Sequence, residues 1–277
     1  LVGSEMCIRD RYRMCKSYGF VQYDVFVIPS NLQITIETPD GEIITQIRHI
    51  ESTDMDFDRL DYLNNLCRYV CKNKPDAQEI QQKLQEVRER PGQRWFTPYL
   101  AAVMGGTGFA VFFGSNFADA LVAVIVSLMI VVVGGWLGKR EGNVLIYNLI
   151  LSFLSELIII LCVRMGLGSH PERIMIGIVM LLISGLGTTN GIRDILQRDF
   201  ISGFLNIMNS LLGAAGIAFG TALAMFLLDG VTAEGFIINH DVPIQLISCT
   251  IACTGFAFWF KMRGRQVMYS GIGAFFT

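Results

Sequence analysis

The chain has 277 residues, 52% of them hydrophobic and 17% charged, with a mean hydropathy of +0.47 and a net charge of −2. That apolarity excludes a single soluble globule, a secreted disulfide scaffold or a disordered chain, and 22 basic against 24 acidic residues exclude a basic nucleic-acid binder. The charge is uneven: 28 of the 46 charged residues lie in the first 96 positions, which predicts a soluble N-terminal domain joined near Trp95 to a polytopic membrane region.

Leu1 to Arg11 reads LVGSEMCIRDR. Back-translating Met6-Cys7-Ile8-Arg9-Asp10 as ATG TGT ATA AGA GAC matches the tail of a transposase-type sequencing-library adapter. Residues 1–11 are therefore expected to be translated adapter rather than a targeting signal or fold element. Tyr12 to Gly19 is expected to end a helix at glycine, and both termini of the chain read as cut.

Tyr23 to Ile28 and Leu32 to Glu37 alternate apolar with polar residues, and so does Glu42 to Ile50 after the turn at Pro39-Asp40-Gly41. That pattern predicts a small antiparallel sheet. Asp56 to Lys72 places Phe57, Leu60, Leu63, Leu66, Cys67 and Val70 on one helical face. Asp76 and Glu79 have capping-box spacing for a second helix that Pro91-Gly92 closes. The acids Asp54, Asp56, Asp58 and Asp61 lack the glycine and terminal glutamate of a calcium loop and suit a solvated helix start. Residues 12–94 are thus expected to form an α+β cytoplasmic domain.

Cys67 with Cys71 and Cys249 with Cys253 are four apart, Cys7, Cys15 and Cys162 stand alone, and His49, His170 and His240 are scattered. No metal-ligand spacing occurs, so no structural metal, disulfide framework or cofactor is expected.

From Phe96 onward six apolar segments can be drawn: Phe96 to Gly114, Phe117 to Leu137, Val144 to Met165, Ile174 to about Leu196, Ile201 to Leu228, and Val242 to Phe260. Five have the roughly 19 residues that span a core of about 30 Å. The fourth turns polar at Gly187-Thr-Thr-Asn-Gly-Ile-Arg-Asp194, which excludes a full apolar crossing. With the N-terminal domain inside, the short inner loops carry Lys139, Arg140, Arg193, Arg198, Lys261, Arg263 and Arg265, and the outer loops only Arg164 and Arg173. This imbalance supports a cytoplasmic N-terminal domain.

Backbone exposed to lipid is costly, so the Gly185 to Asn190 stretch either lines a protein-enclosed cavity, as in the discontinuous helices of transporters, or lies in a loop after a helix that ends at Gly187. In the first case Ser184, Thr188, Thr189 and Asn190 offer neutral donors and acceptors, and Arg193 and Asp194 offer charges. Glu156 sits mid-segment, where it either binds a transported proton or substrate ammonium, or makes a structural hydrogen bond; Arg164 is its candidate partner or an outer-interface residue. In the fifth segment Asn206 and Asn209 share a face that could meet Thr188 to Asn190. Gly213, Gly216 and Gly220 form a packing face there.

These residues resemble a known family. Ile176 to Gly185, then Thr188-Thr189-Asn190-Gly191-Ile192-Arg193-Asp194, Asp199 and Ser202-Gly203, are similar to the central motif of the threonine/serine exporter family. Tyr18-Gly19, Val25 to Pro29, Asp40-Gly41 and Leu60 to Arg68 resemble its N-terminal domain. The resemblance covers Tyr12 to about Leu228 and implies a mainly α-helical polytopic membrane protein of ten helices, about six of them present here. It further implies a five-helix transmembrane domain over 96–228 and a second half opening at 242–277. Where the family carries proline-glycine this chain has Ser184-Gly185, which implies a softer break.

The leading expectation is a secondary transporter and antiporter of the bacterial inner membrane that exports small hydrophilic amino acids of the threonine/serine class. The proton gradient drives it through Glu156, and Ser184, Gly185, Thr188, Thr189, Asn190, Arg193, Asp194, Asn206 and Asn209 bind substrate. A dicarboxylate exporter of the succinate type and a non-transporting membrane scaffold or sensor are the alternatives. The expected partners are the small substrate and the lipid bilayer, with a homo-oligomer possible; neither nucleic acid nor an enzymatic reaction is expected.

Overall fold

A computed structural model describes residues 4–20, 22–28, 30–38, 40–50, 55–183, 185–228 and 242–276. They divide into two compact units, Leu1–Gly92 with Gly185–Met208, and Gln93–Ser184 with Asn209–Thr277.

In the first unit, helix α1 (Ser4–Tyr18) ends where Gly19 takes φ +81°, a left-handed conformation that costs glycine nothing. Strands β1 (Gln22–Ile28), β2 (Asn31–Glu37) and β3 (Ile43–His49) form an antiparallel sheet in chain order, with Val25 opposite Ile34 and Thr35 opposite Thr45. Alternation on β1 buries Val25 and Val27. Helix α2 (Phe57–Asn73) starts at Asp56, whose carboxylate accepts the Arg59 N–H at 3.0 Å, and buries Leu66 and Val70. Helix α3 (Ala77–Glu89) buries Val87. Two long-range contacts hold these helices together. Tyr18 Oη donates to the Pro75 carbonyl at 2.7 Å, and the Arg90 fork grips both oxygens of Asp58 at 2.9 and 3.3 Å.

The sequence spacing predicts a reciprocal capping box at Asp76 and Glu79, and the structure corrects it. Asp76 accepts from the adjacent Ala77 N–H, while Glu79 accepts from the Tyr69 hydroxyl at 2.7 Å. A strong neighbouring donor on α2 takes the glutamate away from the helix start. Asp54 lies outside the described residues, as do Ser184 and the loop from Asp229 to Asp241.

The second unit is built on helix α4 (Thr97–Phe112), with α5 (Phe117–Leu137), α6 (Val144–Arg164), α7 (Pro171–Leu182), α10 (Val242–Trp259) and α11 (Arg265–Phe276). Helix α4 is apolar on every side and carries Gly105-Gly106-Thr107-Gly108, so neighbours approach its backbone from several directions. A Cβ on Gly108 would stand 2.9 Å from the Ala252 amide nitrogen of α10, and one on Gly177 of α7 would stand 2.5 Å from the Ala110 amide nitrogen. One on Gly106 would collide with the Ser127 hydroxyl of α5. Around these contacts Val122, Val126, Ile130, Ile159, Ile174 and Ile178 form the apolar core.

Among the described residues four helices are long and apolar enough to cross a membrane: α5, α6, α9 (Phe200–Leu227) and α10. A fifth crossing results if α7 and α8 (Gly185–Leu196) form one broken span. The first apolar segment folds as a 16-residue helix, about 24 Å at 1.5 Å per residue, shorter than the roughly 30 Å core.

At one end of this unit a buried carboxylate joins two loops. Asn116 and Asp119 form a reciprocal capping box at the start of α5. Asp119, fully enclosed, also accepts from the Ser169 N–H at 2.7 Å, the His170 N–H at 3.2 Å and meets His170 Nδ1 at 2.9 Å. Gly168, at φ +101°, lies close enough that a Cβ would stand 3.1 Å from Asp119 Oδ1, so the turn brings both amides onto the carboxylate. Arg173 Nη1 adds a bond to the Gly114 carbonyl at 2.5 Å.

Asp119→Ala is expected to lower unfolding stability by about 1.5–3 kcal/mol, the range for hydrogen bonds to a charged group. Asp119→Asn, which keeps one acceptor for the helix start, loses less. Thermal melting in detergent with hydrogen exchange at Ser169 and His170 measures both; equal losses, or unchanged protection, would remove the latch.

Candidate functional site

Helices α8 and α9 form a tight hairpin in the first unit, where α9 contributes its first turns. The connection is a Schellman-type end: Arg198, at φ +71°, gives its N–H to the Ile195 carbonyl at 3.0 Å, and Asp199 N–H reaches the Asp194 carbonyl at 2.9 Å. Two glycines let the helices touch. A Cβ on Gly203 would lie 2.6 Å from the Gly191 carbonyl oxygen, and one on Gly191 would lie 2.9 Å from the Gly203 carbonyl oxygen.

Against that crossing lies a polar cluster. Asn190 and Asp194 are four apart on α8, Ser202 and Asn206 four apart on α9, so each pair occupies one helical face. Asp194 and Ser202 are fully enclosed and Asn190 is 9% exposed. Asp194 Oδ2 accepts from the Ser202 hydroxyl at 3.4 Å and from Asn206 Nδ2 at 3.3 Å. Both of these bonds are long, near the outer limit of bonding distance. A carboxylate at such a place can accept from an ammonium or hydroxyl.

The fourth segment is discontinuous, as the sequence suggests, but its polar stretch is helical and not a loop. Helix α7 ends at Leu182, Ile183 is extended, and the chain is helical again from Gly185. The backbone groups of Gly187 to Asn190 are therefore helical, and Thr189 Oγ1 turns back to the Gly185 carbonyl at 3.0 Å. The break falls earlier than composition indicates, because glycine and threonine continue a helix once its side packs against α9. Thr188 and Thr189 are exposed, Arg193 half-buried, and Asn209 exposed. Asn206 meets α8 at Gly191 and Asp194. Ser202 was not among the residues singled out for binding. Its signal was present in the i,i+4 spacing to Asn206.

The second unit holds a separate polar feature on α6. Asn148, Ser152 and Glu156 follow at four-residue intervals on its buried face, with Ser155 beside them. The α9 glycines pack on the first part of that face: a Cβ on Gly213 would stand 2.8 Å from Asn148 Nδ2, and one on Gly220 would collide with the Ser152 hydroxyl and the Leu149 carbonyl. This bears out the packing role expected of Gly213, Gly216 and Gly220. Ser152 and Ser155 spend their hydroxyls on the Leu149 and Leu151 carbonyls at 3.2 and 2.7 Å. Glu156 differs. It is 2% exposed, forms no ion pair among the described residues, and its Oε2 has no hydrogen-bond partner among them. Arg164, two turns on, donates to the Leu228 carbonyl. Among the described residues no group of three or more metal-ligating side chains occurs.

A family model described as "Putative threonine/serine exporter" matches residues 9–228. The chain is similar to the "Probable threonine/serine exporter" of Mycobacterium tuberculosis, at 22% identity over 213 residues, which is 75% of this chain and 39% of that protein. It thus spans well under half the length of that curated relative. No solved structure matches it.

Gly203→Val should lower stability by about 1–3 kcal/mol through overpacking at the crossing, whereas Ser202→Ala should cost about 0.5–1.5 kcal/mol for one hydrogen bond. Chemical unfolding in detergent would test this order, and a Gly203→Val protein as stable as the parent would contradict the close crossing.

Proposed function

The chain belongs to the threonine/serine exporter family, and on that premise we propose that it works as a secondary transporter that exports small hydrophilic amino acids of the threonine and serine class under the proton gradient. Its multi-pass helices suit a bacterial cytoplasmic membrane, with the N-terminal domain on the cytoplasmic side where the basic loops lie. The observation that carries the reading is Glu156, an enclosed acid in the middle of a 21-residue apolar span with one oxygen left unbonded among the described residues. An ionised side chain at such depth is expensive, and gaining a proton removes that cost, so loading and unloading a proton there drives a change in helix packing.

The substrate offers an ammonium, a carboxylate and a hydroxyl. Asp194 receives the ammonium, Asn190, Asn206 and Ser202 exchange hydrogen bonds with the hydroxyl, and Arg193 attracts the carboxylate. Gly185, Thr188 and Thr189 line the approach. Each assignment follows from side-chain chemistry and from the hairpin geometry of Asp194, Ser202 and Asn206.

In proteoliposomes holding the full-length protein, Glu156→Gln is expected to retain threonine counterflow and lose acceleration by a proton gradient. Asp194→Asn should raise the threonine KM by about tenfold or more, as one charge-assisted hydrogen bond predicts. Wild-type efflux that ignores the gradient would remove the coupling role. Succinate competing as strongly as serine, with Arg193→Gln more damaging than Glu156→Gln, would replace this reading with dicarboxylate export. Glu156→Gln and Asn190→Ala variants that behave as wild type would favour a scaffold.

A further inference from the structure

The groove between α1 and α2 encloses about 600 Å³ and lies wholly within the N-terminal residues. Arg13 and Lys16, three apart on α1, line one side; Arg68 and Lys72, four apart on α2, line the other, with Asn64 one turn before Arg68. Asp10 is the single carboxylate in the lining, 3.9 Å from Arg13. Lys16, Arg68 and Lys72 have no carboxylate within ion-pair distance among the described residues. Composition does not account for this concentration, because residues 12–94 carry 13 acidic and 11 basic side chains.

The floor of the groove adds no countercharge. Cys67 is half-buried, and burial, aided by Asp10 and Cys71, pushes its thiol up to about 12, so it stays neutral at physiological pH. Four cations on two facing helices repel one another and create a local positive potential. A compact anion bearing more than one charge removes that repulsion and bridges the two helices. Arginine forks and lysine ammonium groups together form the donor set that phosphate oxygens accept from.

We propose that the α1–α2 groove is a binding site for a phosphate-bearing anion, contributed either by a soluble phosphate compound or by an anionic lipid headgroup, whose occupancy draws α1 onto α2. The site is independent of the transport reading, since none of its residues belongs to the hairpin cluster or to α6.

The test titrates pyrophosphate into the full chain held in phosphatidylcholine nanodiscs and reads binding by calorimetry. The expected result is saturable binding that Arg68→Glu with Lys72→Glu weakens by about tenfold or more and that Arg68→Gln with Lys72→Gln weakens less, while Arg48→Glu on β3 leaves it unchanged. An unshifted melting temperature without ligand verifies that each variant folds. Nanodiscs containing phosphatidylglycerol distinguish the sources: suppressed pyrophosphate binding identifies a lipid headgroup, and equal binding identifies a soluble phosphate. No saturable binding in phosphatidylcholine nanodiscs, or equal weakening by Arg48→Glu, overturns the site.

Discussion

Backbone contact between helices through glycine is the constraint on which the membrane part depends. Helices in lipid gain little from hiding apolar side chains from one another, because the hydrocarbon around them is equally apolar. What remains is dispersion, which falls steeply with distance. Gly177 against Ala110, Gly108 against Ala252 and Gly203 against Gly191 are places where one methyl group would overlap a neighbouring backbone. Helix α4 has no polar side to orient it, so its position is set by where its three glycines admit α5, α7 and α10.

Close packing in turn decides how buried acids are treated. Asp119 is surrounded by backbone amides and an imidazole, and its contacts join two loops, which is a structural use of charge. Asp194 accepts from the Ser202 hydroxyl and the Asn206 amide across the α8–α9 crossing. Glu156 retains an oxygen without a partner among the described residues, beside serines that bond their own helix. Asp119 is thus satisfied by its fold, whereas Glu156 lies within an apolar span with one oxygen unbonded among the described residues. That difference between Asp119 and Glu156, rather than burial alone, separates a structural carboxylate from the one assigned to coupling.

The N-terminal part follows different rules. Its sheet and helices bury a modest core at Val25, Val27, Leu66, Val70 and Val87, and its long-range order rests on the Arg90–Asp58 fork and the Tyr18–Pro75 bond. Because α2 and α3 are capped by Asp56 and Asp76, their acids are engaged at the helix starts. The cations of α1 and α2 gather in the groove between them.

Local patterns were legible in the sequence wherever a period and a stop signal coincided. The two-residue alternation predicted β1 to β3, the 3.6-residue pattern predicted α2 and α3, Gly19 marked the end of α1, and the Gly213, Gly216 and Gly220 row predicted a packing face. The motif from Thr188 to Asp194 pointed to the family; Asp194 and Asn206 were each legible as polar candidates, but not their contact. Tertiary structure alone decided that Thr188 and Thr189 continue a helix, that Glu79 leaves its cap for Tyr69, that Ser202 joins Asp194, and that Asp119 meets His170 across 51 residues. The reason is one of range. Periodicity and capping are set by neighbours within about a turn, whereas which polar groups meet depends on helix crossings fixed by close contacts far apart in the chain.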